Sequence, residues 1–411
     1  MICGTKEYLK SFSEEEFYKH LERLQAEMKS ANIDILLLSS TENIYYATGY
    51  RSWYLSSLFR PVFCIVPIEG EPALIFRYLE KTTVQNTSWV NQLYYSGSSS
   101  RNYGIMTCSG TIDGVKRAIR DSKIPAQIIG VEAGEGQNFQ WSLALLKEII
   151  DELDQYQFVD GSVAIQNARM VKTNWEISRI EIAGYITERA IVDTFKETKP
   201  GYTTEKDIAS GIASKMCANG IDKISYLTIN SGYDKYSTFN SYATNRIVLP
   251  GELILVDISG HFDGYASDLT RTFFLGKKPP TLYEEMARVA MDCVHAGFRA
   301  LKPGITVSTI NAVIENHIKE SKFGDFLVHS SGHSTGLNVV EYPILEENGT
   351  ELTRNGMVFA LENGVYPYDL EKGAESIYLS FRMEDEAVIE EAGPRWLSGP
   401  GNMIYTTEDF N

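Results

Sequence analysis

The stretch from residue 252 to residue 274 constrains the fold more than any other. Residues 252–259 read Glu-Leu-Ile-Leu-Val-Asp-Ile-Ser, and residues 265–274 read Tyr-Ala-Ser-Asp-Leu-Thr-Arg-Thr-Phe-Phe. Both runs are apolar and β-prone, and Asp263-Gly264 between them is a turn dipeptide, so an antiparallel hairpin is predicted. With residues 261–264 taken as a four-residue loop, Asp257 and Asp268 stand equally far from its centre. That register sets the two aspartates opposite each other on one face, with Cβ atoms roughly 4.5–5.5 Å apart. Carboxylates so close repel until one takes up a proton or a cation sits between them. A divalent metal, or a pair of them, removes the conflict. The competing reading makes Asp268 a turn or cap residue and Asp257 the end of a strand.

Three more residues carry the same chemistry. His333 lies between Gly332 and Gly336 in the run that begins at His329, and glycines let the backbone crowd a site while the imidazole points into it. A histidine between glycines is also an ordinary loop residue. Glu362 interrupts the apolar run 357–366, and a carboxylate there is costly unless it is paired or metal-bound. Glu384 lies in a more polar stretch, where a salt-bridged surface strand explains it equally well. Carboxylates with one imidazole suit Mn, Fe, Co or Zn, and a carboxylate-rich set can bridge two ions.

The 411 residues suggest two or three domains, and 43% apolar content is enough for a real core. Strands expected at 33–38, 62–66, 73–76 and 127–132 alternate with helices expected at 13–30 and 143–153, which indicates an α/β domain. Ser13 followed by Glu16 is a capping box for the first helix. A boundary is placed near residue 163, giving domains 1–163 and 164–411. In the second, helices dominate from residue 174 to about 319, interrupted by strands near 224–229 and 252–275. Further strands are expected near 357–366 and 377–390. The formal charge of -16 argues against nucleic-acid and anionic-membrane partners. Five widely spaced cysteines without a CxxC pair fit a reducing compartment. The first twenty residues carry no apolar signal core, and the longest apolar runs are too short to span a bilayer. A cytoplasmic protein is the expectation.

The motifs GYASDLTRTF after VDIS, then SGHSTG, LENGVY and RMEDEAVI, resemble the creatinase–prolidase–methionine aminopeptidase superfamily. The resemblance covers about residues 165–395, and more weakly the stretch around residues 41–49. It implies an α+β protein, with a C-terminal pita-bread catalytic domain behind a creatinase-type α/β N-terminal domain. It also implies that Asp257, Asp268, His333, Glu362 and Glu384 hold two divalent ions, and that the protein is a homodimer. The 11-, 29- and 22-residue steps from Asp257 to Asp268, His333 to Glu362 and Glu362 to Glu384 match the proline-peptidase branch to within a residue. His329 is a usual family position and would contact the substrate. Glu362 or a neighbouring carboxylate would accept a proton, and Thr270 would hydrogen-bond a ligating carboxylate.

Two positions depart from the pattern. Proline-specific members carry histidines where this chain has Asn240 and Val340; Asn can donate a hydrogen bond, and Val can neither donate nor shuttle a proton. Arg60 falls where creatinase-like members carry an arginine that reaches a neighbouring subunit's site and binds a substrate carboxylate, which a guanidinium holds bidentately; an ordinary surface role is the alternative. The expected activity is metal-dependent cleavage of a peptide or amide C–N bond, Xaa-Pro dipeptidase- or aminopeptidase-like. An alternative is an offshoot acting on a small amino-acid-like compound, as in the creatinase, ectoine hydrolase and dimethylsulfoniopropionate lyase branches. A third is a non-catalytic binding module, as in members that serve as histone chaperones.

Overall fold

The structure, a computed structural model, describes residues 9–57, 59–96, 108–232, 240–366 and 381–410. The chain divides into two compact units, one ending at Arg169 and the other beginning at Met170. The division falls at the C-terminal end of a helix, Ser162–Met170.

The N-terminal unit opens on helix Glu14–Ser30. Ser13 Oγ accepts the Glu16 amide at 3.2 Å, and Phe17, Leu21, Leu24 and Met28 form the buried stripe that helical periodicity predicts. Its strands are β1 (Ile35–Leu38), β2 (Phe63–Pro67), β3 (Ala73–Arg77), β4 (Gln92–Ser96), β5 (Ile128–Val131) and β6 (Gln157–Asp160). They form one sheet in the order β4-β3-β2-β1-β5-β6. β1 pairs antiparallel with β2 and parallel with β5. Its four apolar residues are buried because a central strand is covered on both faces. Helices Cys108–Ser122 and Leu143–Glu152 pack through Ile112, Val115, Ile119, Leu145 and Ile149 onto Leu37, Ile65 and Ile129.

The C-terminal unit is built on a ten-stranded sheet. Its strands are β7 (Lys223–Ser231), β8 (Leu253–Phe262), β9 (Tyr265–Ala266), β10 (Leu269–Phe274), β11 (Gly332–Ser334), β12 (Glu341–Ile344), β13 (Val358–Val365), β14 (Phe381–Glu390), β15 (Gly393–Trp396) and β16 (Tyr405–Thr406). The main path runs β12-β11-β13-β14-β10-β8-β7. Residues 377–380 of the last expected strand lie outside the described residues.

Strand alternation separates two jobs. Ile254, Val256 and Ile258 of β8 join a core with helices Asn174–Glu197 and Glu205–Ala218. Phe359 and Leu361 of β13, with Phe381, Met383 and Ala387 of β14, join a second core with helices Thr281–Ala300 and Val307–Lys319. The intervening residues Asp257, Glu362 and Glu384 therefore face away from the helices. The helix at Asn174 begins on a reciprocal capping box between Thr173 and Glu176.

The hairpin exists, but its register differs from the expected one. His261 pairs with Ala266 and Phe262 with Tyr265, so the loop is the two residues Asp263 and Gly264. Their φ values of 48° and 85° are both positive, as a type I′ turn requires. The turn is centred one residue later than expected, between Asp263 and Gly264, so the partner of Asp257 moves two residues on, to Thr270. Asp268 lies two residues before Thr270, on the same face but diagonal to Asp257.

Candidate metal centre

The ligand-type side chains meet on the floor of a cavity of about 770 Å³ in the C-terminal unit. β8 brings Asp257, and the link between β9 and β10 brings Asp268. β11, β13 and β14 bring His333, Glu362 and Glu384. Glu362 and Glu384 are direct cross-strand partners, and Glu384 in turn pairs with Thr270. Ligand atoms of Asp268, His333 and Glu384 lie within 4.8 Å of one another. His333 Nε2 is 3.6 Å from Asp268 Oδ2 and 3.8 Å from Glu362 Oε1.

Local structure aims the imidazole. Gly332 has φ 125°, and a Cβ there would come within 2.0 Å of the Ala360 carbonyl oxygen, so only glycine fits. His333 Nδ1 lies 3.1 Å from the Ser334 carbonyl, an acceptor. Nδ1 therefore carries the proton, and the Nε2 lone pair faces the carboxylates.

The carboxylates are crowded and dry. Asp268 and Glu384 are each 2% exposed. Burial first, and then the neighbouring carboxylates, raises the Asp268 and Glu384 carboxyls well above the usual range. Burial also raises Asp257, against the pull of Arg382. The Tyr226 hydroxyl is 3.0 Å from Asp257 Oδ1 and also contacts Asp268 Oδ1. A phenol has one proton to give, so it satisfies one of the two carboxylates; the other contact needs a carboxyl proton or a nearby cation. Hard oxygen donors with one imidazole lone pair, closely spaced and buried, fit divalent transition ions.

Other residues hold this set in place. Thr270 Oγ1 donates to Glu384 Oε2 at 2.8 Å and accepts from Arg382 Nε at 3.2 Å. Arg382 also pairs with Asp257. Lys172, buried, reaches Glu341 at 3.2 Å and Ser334 Oγ at 2.9 Å, and Glu341 Oε1 accepts the Asn338 amide at 3.0 Å. These bonds pin the segment between His333 and β12. Tyr226 and Arg382 join the site without belonging to the expected set. Arg382 sits inside the RMED motif, where its alternation with Glu384 places both on one face. Tyr226 gave no such signal. A bulge at Ser225 shifts the pairing so that Tyr226 and Thr228 oppose Ser259 and Asp257.

Of the remaining expected residues, His329, Asn240 and Val340 line the same cavity. His329 Nδ1 donates to the Ser330 carbonyl at 2.7 Å, which leaves Nε2 to accept the Tyr366 hydroxyl at 2.7 Å. Burial lowers the pKa of His329, so the ring is neutral. Arg60 belongs to the N-terminal unit, where its guanidinium lies 4.7 Å over the Tyr54 ring.

The raised carboxyls make a prediction about pH. In the unfolded chain such groups titrate near 4. Their folded values are higher, so the stability they contribute is complete below about pH 4 and is lost as pH rises through the folded values. A divalent ion that replaces the protons offsets that loss. The rise in Tm on adding manganese is therefore expected to be larger at about pH 8 than at about pH 5. Melts with and without metal check it, and an equal rise at both values contradicts it.

Comparisons with known proteins agree with this architecture. Residues 178–391 match the model of metallopeptidase family M24, and residues 20–171 match the creatinase/prolidase N-terminal domain. An Xaa-Pro dipeptidase of Pyrococcus furiosus is 24% identical over 380 residues, covering 92% of this chain and 97% of the relative. An Xaa-Pro dipeptidase of Lactobacillus helveticus is 27% identical over 349 residues, covering 84% of this chain and 90% of the relative. The crystal structure of an X-Pro aminopeptidase from Thermotoga maritima superposes with a TM-score of 0.76 at 23% identity, over 94% of this chain and 99% of that one. The chain belongs to metallopeptidase family M24, with a creatinase/prolidase N-terminal domain in front of the catalytic one, and is a metal-dependent hydrolase of that type.

Proposed function

We propose that this protein hydrolyses a peptide or amide C–N bond in a small substrate, as an Xaa-Pro dipeptidase or aminopeptidase does, using two divalent ions held by Asp257, Asp268, His333, Glu362 and Glu384. The observation that carries the reading is the convergence of one imidazole lone pair and buried carboxylates on a single cavity floor. Manganese, cobalt, iron and zinc all suit this donor set. Such ions, when bound, lower the pKa of a water toward neutrality and polarise the scissile carbonyl.

The chain's own residues do the rest. Glu362 is the most open of the four carboxylates, with 19% of its side chain exposed, and is placed to take the proton from the attacking water. Tyr226 and Arg382 fix Asp257, and Thr270 fixes Glu384, so the floor needs little reorganisation on binding. His329 is neutral and can hydrogen-bond substrate from the cavity wall once it exchanges its bond from Tyr366. Asn240, exposed at the wall, offers an amide N–H to a substrate carbonyl. Arg60 would reach the site of a neighbouring subunit and hold a substrate carboxylate there. The reading includes a homodimer in a reducing, cytoplasmic setting. The free thiols of Cys64, Cys217 and Cys293 fit that setting, and among the described residues no helix is long and apolar enough to cross a membrane.

One observation favours a second reading. Asn240 and Val340 occupy wall positions where proton-carrying histidines are expected for proline substrates, so the substrate would be a small amino-acid-like compound instead. A panel of Xaa-Pro dipeptides beside creatine, ectoine and N-acylated diamino acids, run with manganese, separates the two. Peptide turnover is expected. Turnover of the small compounds alone moves the assignment to the second reading, and turnover of none sinks both.

A further inference from the structure

The cavity changes character from floor to mouth. The floor is carboxylate and imidazole, with Asp268 and Glu384 at 2% exposure and His333 at 7%. The mouth adds open apolar side chains: Val340 is 56% exposed, Val328 45% and Tyr242 91%, with Val339 half-buried and the exposed amide of Asn240 among them. Apolar side chains standing open together at a cavity rim mark a binding surface more often than chance exposure does.

Each part of this rim is anchored. Val340 precedes Glu341, whose carboxylate is tied to Lys172 and to the Asn338 amide. Tyr242 is bridged by its backbone to Thr228 of β7, and Ser241 Oγ donates to Asn230 Oδ1 at 2.7 Å. Val328 directly precedes His329, whose ring is bonded on both nitrogens. The backbone beneath the rim is held this way, so closing on a ligand orders side chains rather than the loops that carry them.

We infer that the collar of Val328, Val339, Val340 and Tyr242 makes this a site for compounds that carry an aliphatic or aromatic side chain next to the scissile amide. Val340 is the specificity-determining residue. An imidazole at that position would present a hydrogen-bonding, chargeable group; the isopropyl group presents only apolar surface, so binding energy there comes from water displaced by a substrate side chain. Substrates with glycine or a charged side chain at that place lose this contact. The inference rests on the hydrolase reading for what lies at the floor, and it adds which substrates enter.

Hydroxamates test it without turnover, because they share one metal-binding head and differ in side chain. Leucine hydroxamate is expected to bind the manganese-loaded protein at least about tenfold more tightly than glycine hydroxamate by calorimetry. Val340→Asp should remove most of that preference, and Val340→Ile should keep it. Val340 is exposed, so these variants are expected to fold. Equal affinities, equal weakening of both ligands by Val340→Asp, or no binding of either overturns the inference. Peptide hydrolysis is scored separately. Leucine preference without turnover of any peptide defeats the hydrolase reading and upholds the collar; turnover without the preference does the reverse.

Discussion

Asp268→Asn is expected to abolish metal binding and turnover together. Asp268 is central in the cluster: its Oδ2 faces His333 Nε2 at 3.6 Å, its Oδ1 contacts Tyr226, and it shares the floor with Glu384. An amide is nearly the same size but carries no charge, and its NH₂ end repels a cation. The fold tolerates the change, because one of several mutually repelling buried carboxylates has been removed. Metal-free Tm should therefore hold or rise, while activity falls at least about a thousandfold, some 4 kcal/mol of transition-state stabilisation. Metal content by mass spectrometry, Tm and kcat/KM are the measurements. Retained activity with bound metal would remove Asp268 from the site, and loss of folding would make the effect structural.

Arg271→Met should produce the largest loss of stability. Arg271 is fully buried on the helix side of β10, 2.6 Å from Asp385 and 3.1 Å from Glu188, and it donates to the Thr270 and Glu384 carbonyls. One side chain thus clamps β10, β14 and helix Asn174–Glu197. Asp385 is itself wholly buried, so methionine leaves a carboxyl with no compensating charge in a dry core. Breaking a buried pair this way costs about 3–5 kcal/mol. For a unit of this size that is a fall in Tm on the order of 10 °C. Metal affinity should fall too, since Thr270 and Glu384 lose their common tether. Arg271→Met with Asp385→Asn removes the orphaned charge while keeping one acceptor oxygen for the Gly401 amide, and should recover part of the loss. If the double variant is no more stable than the single, packing rather than charge holds these strands.

The neutral state of His329 bears on how the wall can act. A ring that donates from Nδ1 to Ser330 and accepts at Nε2 from Tyr366 is a fixed hydrogen-bonding element rather than a proton reservoir. Tyr366 is fully buried, and burial raises its hydroxyl far above neutrality, so it stays a donor. Under the proposed function, proton movement then falls to Glu362, whose side chain is the most exposed on the floor.

Much was legible because it is local. The capped first helix, the apolar strands and the Asp-Gly turn follow from side-chain period, capping chemistry and positive-φ preference, which act over a few residues. So does the placing of Glu362 and Glu384 on one face each of their strands, and alternation also fixes the relation of Arg382 to Glu384. What a strand pairs with is not local. A turn centred one residue later than expected moved the partner of Asp257 from Asp268 to Thr270 without changing the face, because a shift of two residues in the partner keeps the parity. The bulge at Ser225 did change the face, and with it Tyr226 entered the site unannounced by any spacing.

By itself the sequence determined which residues could bind a cation and in what order they occur, since charge, hydrogen-bonding capacity and hydrophobic period belong to each residue and its near neighbours. Only the tertiary structure decided that Asp268, His333 and Glu384 come within ligand distance, that Arg382 is spent on Asp257, and that Val340 opens onto the mouth. Those are sums of pairing register, turn length and burial across strands far apart in the chain, and such sums are settled when the sheet closes against its helices.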